Sequence, residues 1–412
     1  PPQWSLVVPP IALAILLIPA FRLVVTPLVL WPVILLVDVV AVVLAALSRS
    51  LLPVLVSLGL TLLATVGSVV HLSAELTGLP SLLVVIGLCA VFFVAAGIWL
   101  NRRIEVVAGT GSADPLALTP ELVSIHVSLA AALPFVLLVL IVVRLPLSSP
   151  SPVFGLALLL TGMLLVLGRM FRVPWLSVVA LGSVAALEHA WHLRQFQADS
   201  AGVALGWYLV FLGVFAAHPF IRRRDVETLP GPWVAAALAG PVQFYLVHQV
   251  VKTAWPNPMM GLLAAAFALP PLASLAAVRR VPGDGNPNRL TQLALFGGAT
   301  LFFITLIFPL QFSRQWITLS WALEGAALCW LFHRIPHPGL RLTGVGLLIT
   351  AFVRLALNPA VLSYHPRSAS PILNWYLYTY GITAVAMFVA ARLLAPPRDR
   401  VLNANAPAVL NT

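Results

Sequence analysis

Ionisable side chains recur at helical spacing within otherwise apolar stretches of the sequence. Glu188 and His192 are four residues apart, and so are His248 and Lys252, the only lysine of the chain. Residues four apart share one face of an α-helix, so each pair can act together. The first pair could serve as an acid and a base, and the second could attract an anion.

Two carboxylates lie deep inside apolar runs. Asp38 and Glu324 each fall near the middle of a stretch long enough to cross a bilayer. A charged carboxylate in hydrocarbon costs at least ~2.5 kcal/mol, so it normally faces other helices. We therefore expect Glu324 to face the interior of a helix bundle and to lie near Arg354 of the next predicted helix.

These polar residues together predict a binding site that opens to the outer face of a membrane. Its charge balance is cationic, because Lys252 and Arg354 outweigh Glu188 and the histidines add charge at low pH. The expected ligand is an anionic or lipid-linked solute held by charge-assisted hydrogen bonds. The predicted binding residues are Glu188, His192, His248, Lys252, Glu324, Arg354 and Asn374. No catalytic residue and no metal ligand is assigned.

Three alternatives remain open at this stage. The long cationic side chains could simply extend to the lipid headgroups, with the carboxylates paired structurally. The chain would then be a non-catalytic subunit of a larger membrane or pigment–protein complex. It could instead be a membrane enzyme for lipid-linked substrates, with Glu324 or the Glu188–His192 pair as acid or base. A membrane histidine can also hold a haem or a chlorin, but no paired histidine spacing occurs, and no cofactor is predicted.

The elements that must position these residues follow from composition. Hydrophobic residues make up 61% of the 412 residues and charged residues 8%, against roughly 25% charged in a soluble domain. Only lipid can solvate such a surface, and only helices satisfy the backbone in these non-alternating runs. The net charge of +11 sits in short clusters between apolar runs, which indicates contact with lipid headgroups rather than with nucleic acid. We predict an all-α, polytopic membrane bundle.

Runs of about 20 apolar residues mark the membrane-spanning helices. We predict about 14 spans, at residues 4–21, 23–47, 51–72, 80–100, 121–143, 152–170, 173–193, 202–221, 230–251, 258–278, 290–312, 316–333, 338–357 and 371–395. Residues 1–395 are predicted to form a single membrane domain with weak five-helix repeats. Residues 396–412 are predicted to form a flexible cytoplasmic tail.

The arginines and the lysine predict the orientation. Of the 23 cations, 16 follow even-numbered spans and 7 follow odd-numbered spans. Because Lys and Arg concentrate in cytoplasmic loops, both termini are placed in the cytoplasm. We expect a bacterial inner-membrane protein whose partners are membrane lipids and, in the second alternative, other membrane subunits.

The C-terminal third carries a family resemblance. Gln315 and Trp316 precede the segment WALEGAAL at 321–328, Arg334 and Arg341 flank a Pro–His–Gly connection, and LNW at 373–375 opens the last span. Over residues 309–394 this arrangement resembles the domain-of-unknown-function family 2339, a group of multi-spanning bacterial membrane proteins. The resemblance implies a membrane bundle and does not imply an activity.

Overall fold

The computed structural model of the chain describes most of its helical part. The described residues are 11, 15, 27–48, 50–72, 76, 78–105, 119–147, 149–221, 228–256, 259–280, 288–311, 316–357 and 374–394. The predicted first span, residues 4–21, lies outside this set except for Ile11 and Ile15. The predicted tail at 396–412 lies wholly outside it.

The described residues are mainly α-helical. The helices are α1 (Pro27–Ser48), α2 (Leu52–His71), α3 (Leu79–Glu105), α4 (Pro120–Ala132), α5 (Pro134–Arg144), α6 (Ser151–Met170), α7 (Leu176–Gln195), α8 (Ala201–Ala217), α9 (Pro230–Ala254), α10 (Gly261–Arg280), α11 (Arg289–Gln311), α12 (Trp316–Arg334), α13 (Pro338–Leu357) and α14 (Trp375–Leu393). Two 3₁₀ turns, Ala198–Ser200 and His218–Phe220, flank α8.

Twelve helical segments of the described residues are long and apolar enough to cross a membrane. The all-α, polytopic membrane fold is therefore confirmed. The count of 14 spans is not confirmed, because the first predicted span lies outside the described residues and α12 is not one of the twelve. Glu324, His333 and Arg334 lower the hydropathy of α12.

Local sequence signals account for several helix boundaries. The Thr119 hydroxyl accepts a hydrogen bond from the Leu122 N–H and caps α4. Proline stands in the first turn of α4 and α9, where its missing N–H leaves no bond unmade. Pro134 divides one long span into α4 and α5, because a proline inside a helix removes a backbone donor. Arg172 adopts a positive φ of 53° after α6 and lets the chain turn back into α7.

The chain divides into two compact units, residues 1–211 and 212–412. In unit 1, α7 packs against α5 and α6, α3 packs against α4, and α1 packs against α2. In unit 2, α10 packs against α11, and α12 packs against both α13 and α14. The single domain predicted for residues 1–395 stays a prediction.

Asp38 of α1 joins α1 to α2. Its side chain is fully buried, and the hydroxyls of Ser57 and Thr61 both donate to its carboxylate. Ser57 and Thr61 are one helical turn apart on α2, so they reach the same carboxylate. This cluster satisfies a polar group that hydrocarbon would not solvate.

Candidate functional site

A recess of about 570 Å³ lies at one end of unit 1, where the α5–α6 and α7–α8 connections meet. We call it the Arg194 recess. Its volume lies within the range of roughly 300–1,000 Å³ found for small-molecule sites. The lining combines apolar and polar side chains from both connections: Pro146, Leu147, Ser149, Pro150, Arg194, Gln195, Gln197, Asp199, Ser200 and Val203.

Gln195, the last residue of α7, ties this end of the unit together. Its amide Nε2 donates to the carbonyl oxygens of Val142 and Leu145, the latter at 2.7 Å. Its Oε1 accepts a hydrogen bond from the Leu147 N–H at 2.6 Å. One side chain thus satisfies three backbone groups that the end of α5 leaves without helical partners. The wall of the recess is consequently fixed to the helix that carries Arg194.

Arg194 is the cation of the recess. Its side chain is exposed, and within the described part of the chain it forms neither a hydrogen bond nor an ion pair. Asp199 lies on the adjacent 3₁₀ turn, where the Ser200 hydroxyl donates to the Gln197 carbonyl oxygen at 2.8 Å. A guanidinium with open donors beside a shaped recess can bind a phosphate or a carboxylate.

Aromatic side chains of unit 1 pack around Phe154 of α6. The rings of Trp191, Trp207 and Phe211 each contact Phe154 edge to face, with centroids 5.9 to 6.1 Å away. The Trp207 Nε1–H donates to the Ser151 hydroxyl at 3.1 Å, which joins α8 to the start of α6. Such edge-to-face pairs add stability beyond their apolar area. These contacts join α6, α7 and α8 to one another.

Glu188 and His192, two predicted binding residues, lie on α7 beside this aromatic cluster. Glu188 is fully buried, as is Tyr208 of α8. The Tyr208 hydroxyl lies 3.2 Å from His192 Nδ1. The half-buried His192 ring stacks on Phe196 at 4.5 Å. Neither predicted residue lines the Arg194 recess.

The other predicted residues belong to unit 2. His248 and Lys252 lie one turn apart on α9, as their spacing predicts. Lys252 is exposed and His248 is half-buried, with its ring 5.9 Å from that of Phe244. Asn374 caps α14, because its side-chain oxygen accepts a hydrogen bond from the Leu377 N–H at 3.0 Å. That contact gives Asn374 a structural role which the sequence reasoning missed.

Glu324 faces the helix bundle, as predicted, with 9% of its surface exposed. Thr305 of α11 is a polar neighbour of its carboxyl group, and the Thr305 hydroxyl donates to the carbonyl oxygens of Leu301 and Phe302. Glu324 was expected to lie near Arg354, and no ion pair forms between these two described residues. The guanidinium of Arg354 instead lies over the ring of Trp321, 5.4 Å from its centroid. A cation over an indole ring is stabilised without a carboxylate, which explains the difference.

The sequence analysis missed several residues that build the site, notably Gln195, Tyr208 and Phe154. A glutamine at the end of an apolar run, directly after Arg194, was a usable signal for Gln195. Tyr208 and Phe154 carried no signal, because aromatic residues near span ends are common in all membrane proteins. Within the described residues, no group of three His, Cys, Asp or Glu side chains could hold a metal ion.

Comparison with known proteins adds a family. The family described as "Predicted membrane protein (DUF2339)" matches residues 137–411, which is more than half of the chain. The matched region includes the Arg194 recess and all of unit 2 except its last residue. No protein of curated function and no solved structure matches the chain.

Proposed function

Because the chain belongs to the domain-of-unknown-function family 2339, whose members are described as membrane proteins, we propose that it binds a membrane-borne solute. The proposed ligand is an anionic headgroup, either of a lipid or of a lipid-linked solute. The proposed binding site is the Arg194 recess. We further propose a bacterial inner membrane, with both termini in the cytoplasm.

The observation that carries this proposal is the combination of Arg194 with the recess. The recess of about 570 Å³ is lined by both Arg194 and Asp199, and the Arg194 guanidinium, which has no partner among the described residues, can donate hydrogen bonds to an anion. Leu147, Pro150 and Val203 line the same recess and offer apolar surface to the glycerol or acyl part of an amphiphile. Such a mixture suits an amphiphile better than a free ion.

The predicted topology supports access from the outer side. The cation asymmetry of the sequence assigns the 145–150 and 196–200 connections to the outer face. A headgroup in the outer leaflet would therefore meet the Arg194 recess directly. Lys252, Arg354 and the neighbouring predicted residues of unit 2 remain a second proposed set of anion contacts, to be tested separately.

Lipid retention tests the proposal. The full chain is purified in detergent, supplemented with phosphatidylglycerol or phosphatidylcholine, and analysed by native mass spectrometry. Arg194→Gln should lower phosphatidylglycerol retention about 10-fold, since a hydrogen bond to a charged group contributes roughly 1.5–3 kcal/mol. Phosphatidylcholine retention should change less, because its headgroup is zwitterionic.

Arg144→Gln provides the matched control. Arg144 is also an exposed arginine at this end of unit 1, but it does not line the recess. Its substitution should leave retention near the wild-type value. An equal loss in both variants would mean that lipid binds to the general positive surface, and the proposed site would be wrong.

The proposed orientation has its own test. A single cysteine replaces Asp284, after Cys89 and Cys329 are changed to alanine, and intact cells are treated with a membrane-impermeant maleimide. Because the 280–289 connection is assigned to the cytoplasm, the cysteine should react only after the cells are permeabilised. Labelling of intact cells would reverse the proposed topology.

A structural subunit is the second candidate function, and the internal hydrogen bonds favour it. Asp38, Gln195 and Asn374 all bond to neighbouring parts of the chain, so these polar residues stabilise helix contacts. A chain that retains no lipid selectively in the experiment above would support this second function. The enzyme alternative has less support, because Glu188 and Glu324 are buried away from any substrate.

A further inference from the structure

Asp38 is a carboxyl group at the middle of α1, one of the helices long and apolar enough to cross a membrane. Its side chain is fully buried, whereas Leu35, Leu36 and Val39 of the same helix are exposed. Asp38 forms no ion pair with any residue that the structure describes. A charged group at such a depth is costly, and in membrane proteins it commonly marks an ion site.

The helices around Asp38 carry no described cation at its depth. α1 packs against α2 and α3, and the one described cationic side chain on these three helices is Arg102. Cys89 of α3 marks the depth of the Asp38 cluster, because it lines the same cavity as Thr61. Arg102 is exposed and stands 13 residues beyond Cys89, which corresponds to about 20 Å along the helix. Arg102 therefore does not neutralise Asp38.

Hydroxyl oxygens converge on the Asp38 carboxylate. The Ser57 hydroxyl donates to Oδ1, and the Thr61 hydroxyl oxygen lies 3.0 Å from Oδ1 and 3.1 Å from Oδ2. Ser57 and Thr61 stand one turn apart on α2, and both are buried. Four oxygen atoms are thus gathered among apolar side chains, which is more than a single proton needs. A set made only of oxygen ligands suits a hard cation.

A small cavity of about 10 Å³ adjoins the cluster at Thr61. Its size is close to what one water molecule needs. The polar side chains of its lining are Thr61, Thr65 and Cys89. The Thr65 hydroxyl donates to the Thr61 carbonyl oxygen at 2.7 Å, and its own oxygen keeps lone pairs that can accept a hydrogen bond. A water molecule held by Thr65 can therefore supply a fifth oxygen to an ion bound at Asp38.

We propose that Asp38, Ser57 and Thr61 bind one sodium ion between α1 and α2. One carboxylate balances a single positive charge, whereas a divalent ion would leave a net charge buried in an apolar site. The oxygens of Thr61 and Asp38 lie only 3.0 to 3.1 Å apart. This spacing favours sodium over potassium, because a larger ion holds its ligands further from one another.

The hydroxyl protons of the cluster have other acceptors when the ion binds. On the same helix, Thr65 and Ser68 donate to the carbonyl oxygens four residues earlier, at 2.7 and 3.1 Å. Ser57 and Thr61 can turn their protons in the same way, which directs their oxygen lone pairs towards the ion. The ion then replaces the hydrogen bonds that the carboxylate gives up. This proposal does not involve Arg194 and is independent of headgroup binding.

Equilibrium binding of radioactive sodium to the full chain, purified in detergent and choline chloride, tests the proposal. The wild type should bind sodium saturably, and unlabelled sodium should displace it at a much lower concentration than potassium. Asp38→Asn should abolish binding. Thr61→Val keeps the shape of the side chain but removes its oxygen, and should weaken binding at least about 10-fold. Thr161→Val is the matched control, because Thr161 is buried on α6 and donates to the Ala157 carbonyl oxygen of its own helix.

Melting temperatures in the same buffers show whether each variant folds. Sodium chloride should raise the melting temperature of the wild type and of Thr161→Val, but not that of Asp38→Asn. If Asp38→Asn does not fold, Thr61→Val and Ser57→Ala decide, since both keep the carboxylate. The absence of saturable binding, equal displacement by potassium, or equal losses in Thr61→Val and Thr161→Val would overturn the sodium site. A wild-type melting temperature that responds to pH but not to sodium would also overturn it and make Asp38 a proton site.

Discussion

The recess end of unit 1 and the α12–α13 crossing of unit 2 hold helices together by different means. At the recess end, Gln195, Trp207 and Tyr208 reach across the helices with polar atoms set in an aromatic cluster. At the crossing, a Cβ added to Gly325 would lie 2.8 Å from the Gly344 carbonyl oxygen, so the backbones touch. One contact is built from large side chains with hydrogen bonds, and the other from the absence of side chains.

This difference in packing indicates where a ligand can enter. Large side chains leave irregular space between helix ends, and the Arg194 recess is such a space. Small residues let helices approach closely and leave none. The cluster of Ala322, Ala351, Ala386 and Ala390 extends the same close packing from α12 to α13 and α14. The contacts among α12, α13 and α14 of unit 2 are therefore tight, whereas the helix ends of unit 1 leave a polar recess between them.

The largest effect is expected at Gln195. Gln195→Met keeps the length of the side chain but removes three hydrogen bonds, and leaves the backbone groups of Val142, Leu145 and Leu147 without those partners. We expect a loss of roughly 3 kcal/mol in the free energy of unfolding. Gln249→Met is the control, because Gln249 is half-buried but makes no hydrogen bond with a described residue. Denaturation with sodium dodecyl sulfate measures the free energy of unfolding of both variants. Equal values would show that the three hydrogen bonds of Gln195 do not stabilise unit 1.

Gly325→Ala tests the crossing of unit 2. The added methyl group would meet the Gly344 oxygen at 2.8 Å and the Leu348 Cγ at 2.7 Å. The helices must then separate, at a cost of roughly 1–3 kcal/mol. Gly346 lies on α13, where an added Cβ meets nothing within 4 Å, and Gly346→Ala should be neutral or slightly stabilising. The same denaturation assay compares the two variants. If Gly346→Ala were as costly as Gly325→Ala, the close approach of the α12 and α13 backbones would not account for the cost of the added methyl group.

A smaller effect is expected from Trp207→Phe. The substitution removes the hydrogen bond to the Ser151 hydroxyl while keeping an aromatic ring against Phe154. We expect a loss of about 1 kcal/mol, read as a lower melting temperature in detergent. The exposed Trp175 of unit 1 serves as control, and Trp175→Phe should change the melting temperature little. A neutral Trp207→Phe would show that ring packing alone holds α6 to α8.

The smallest effect concerns pH and the connection between α12 and α13. Burial lowers the pKa of His337 below the ordinary histidine value, and its neutral Nδ1 accepts a hydrogen bond from the Gly339 N–H. The unfolded chain then binds more protons than the folded chain below about pH 6.5. The contribution of His337 to stability is thus complete above that pH and declines as the pH falls. His337→Asn should flatten the decline in melting temperature between about pH 7 and pH 5. An unchanged pH dependence would contradict this role for His337.

Composition and apolar periodicity predicted the membrane fold and most helix boundaries. For example, the predicted span at 152–170 compares with α6 at Ser151–Met170. The burial of Glu324 followed from the cost of a charge in lipid, and that prediction is confirmed. The neighbours of Glu324 and Arg354 could not be predicted. In the structure Glu324 has Thr305 as a polar neighbour, and Arg354 lies over the ring of Trp321. Which neutral side chains contact Glu324 and Arg354 depends on how each helix is rotated about its own axis, and the sequence does not specify that rotation.

The candidate site was harder to predict than the fold. Arg194 was not among the predicted binding residues, although it lines the recess. The recess arises where the α5–α6 and α7–α8 connections meet, and those segments are separated by about 50 residues in sequence, as the Leu147–Gln195 hydrogen bond shows. Helical spacing reveals residues that share a face of one helix. It does not reveal which connections lie side by side.

Photo-crosslinking tests the central claim most directly. The full chain is reconstituted with phosphatidylglycerol that carries a photoreactive group near its headgroup, then irradiated, digested and mapped by mass spectrometry. The account predicts adducts concentrated on residues 146–150 and 194–203, reduced in Arg194→Gln and retained in Arg144→Gln. Adducts spread evenly over the helix ends of both units, and unaffected by Arg194→Gln, would contradict it.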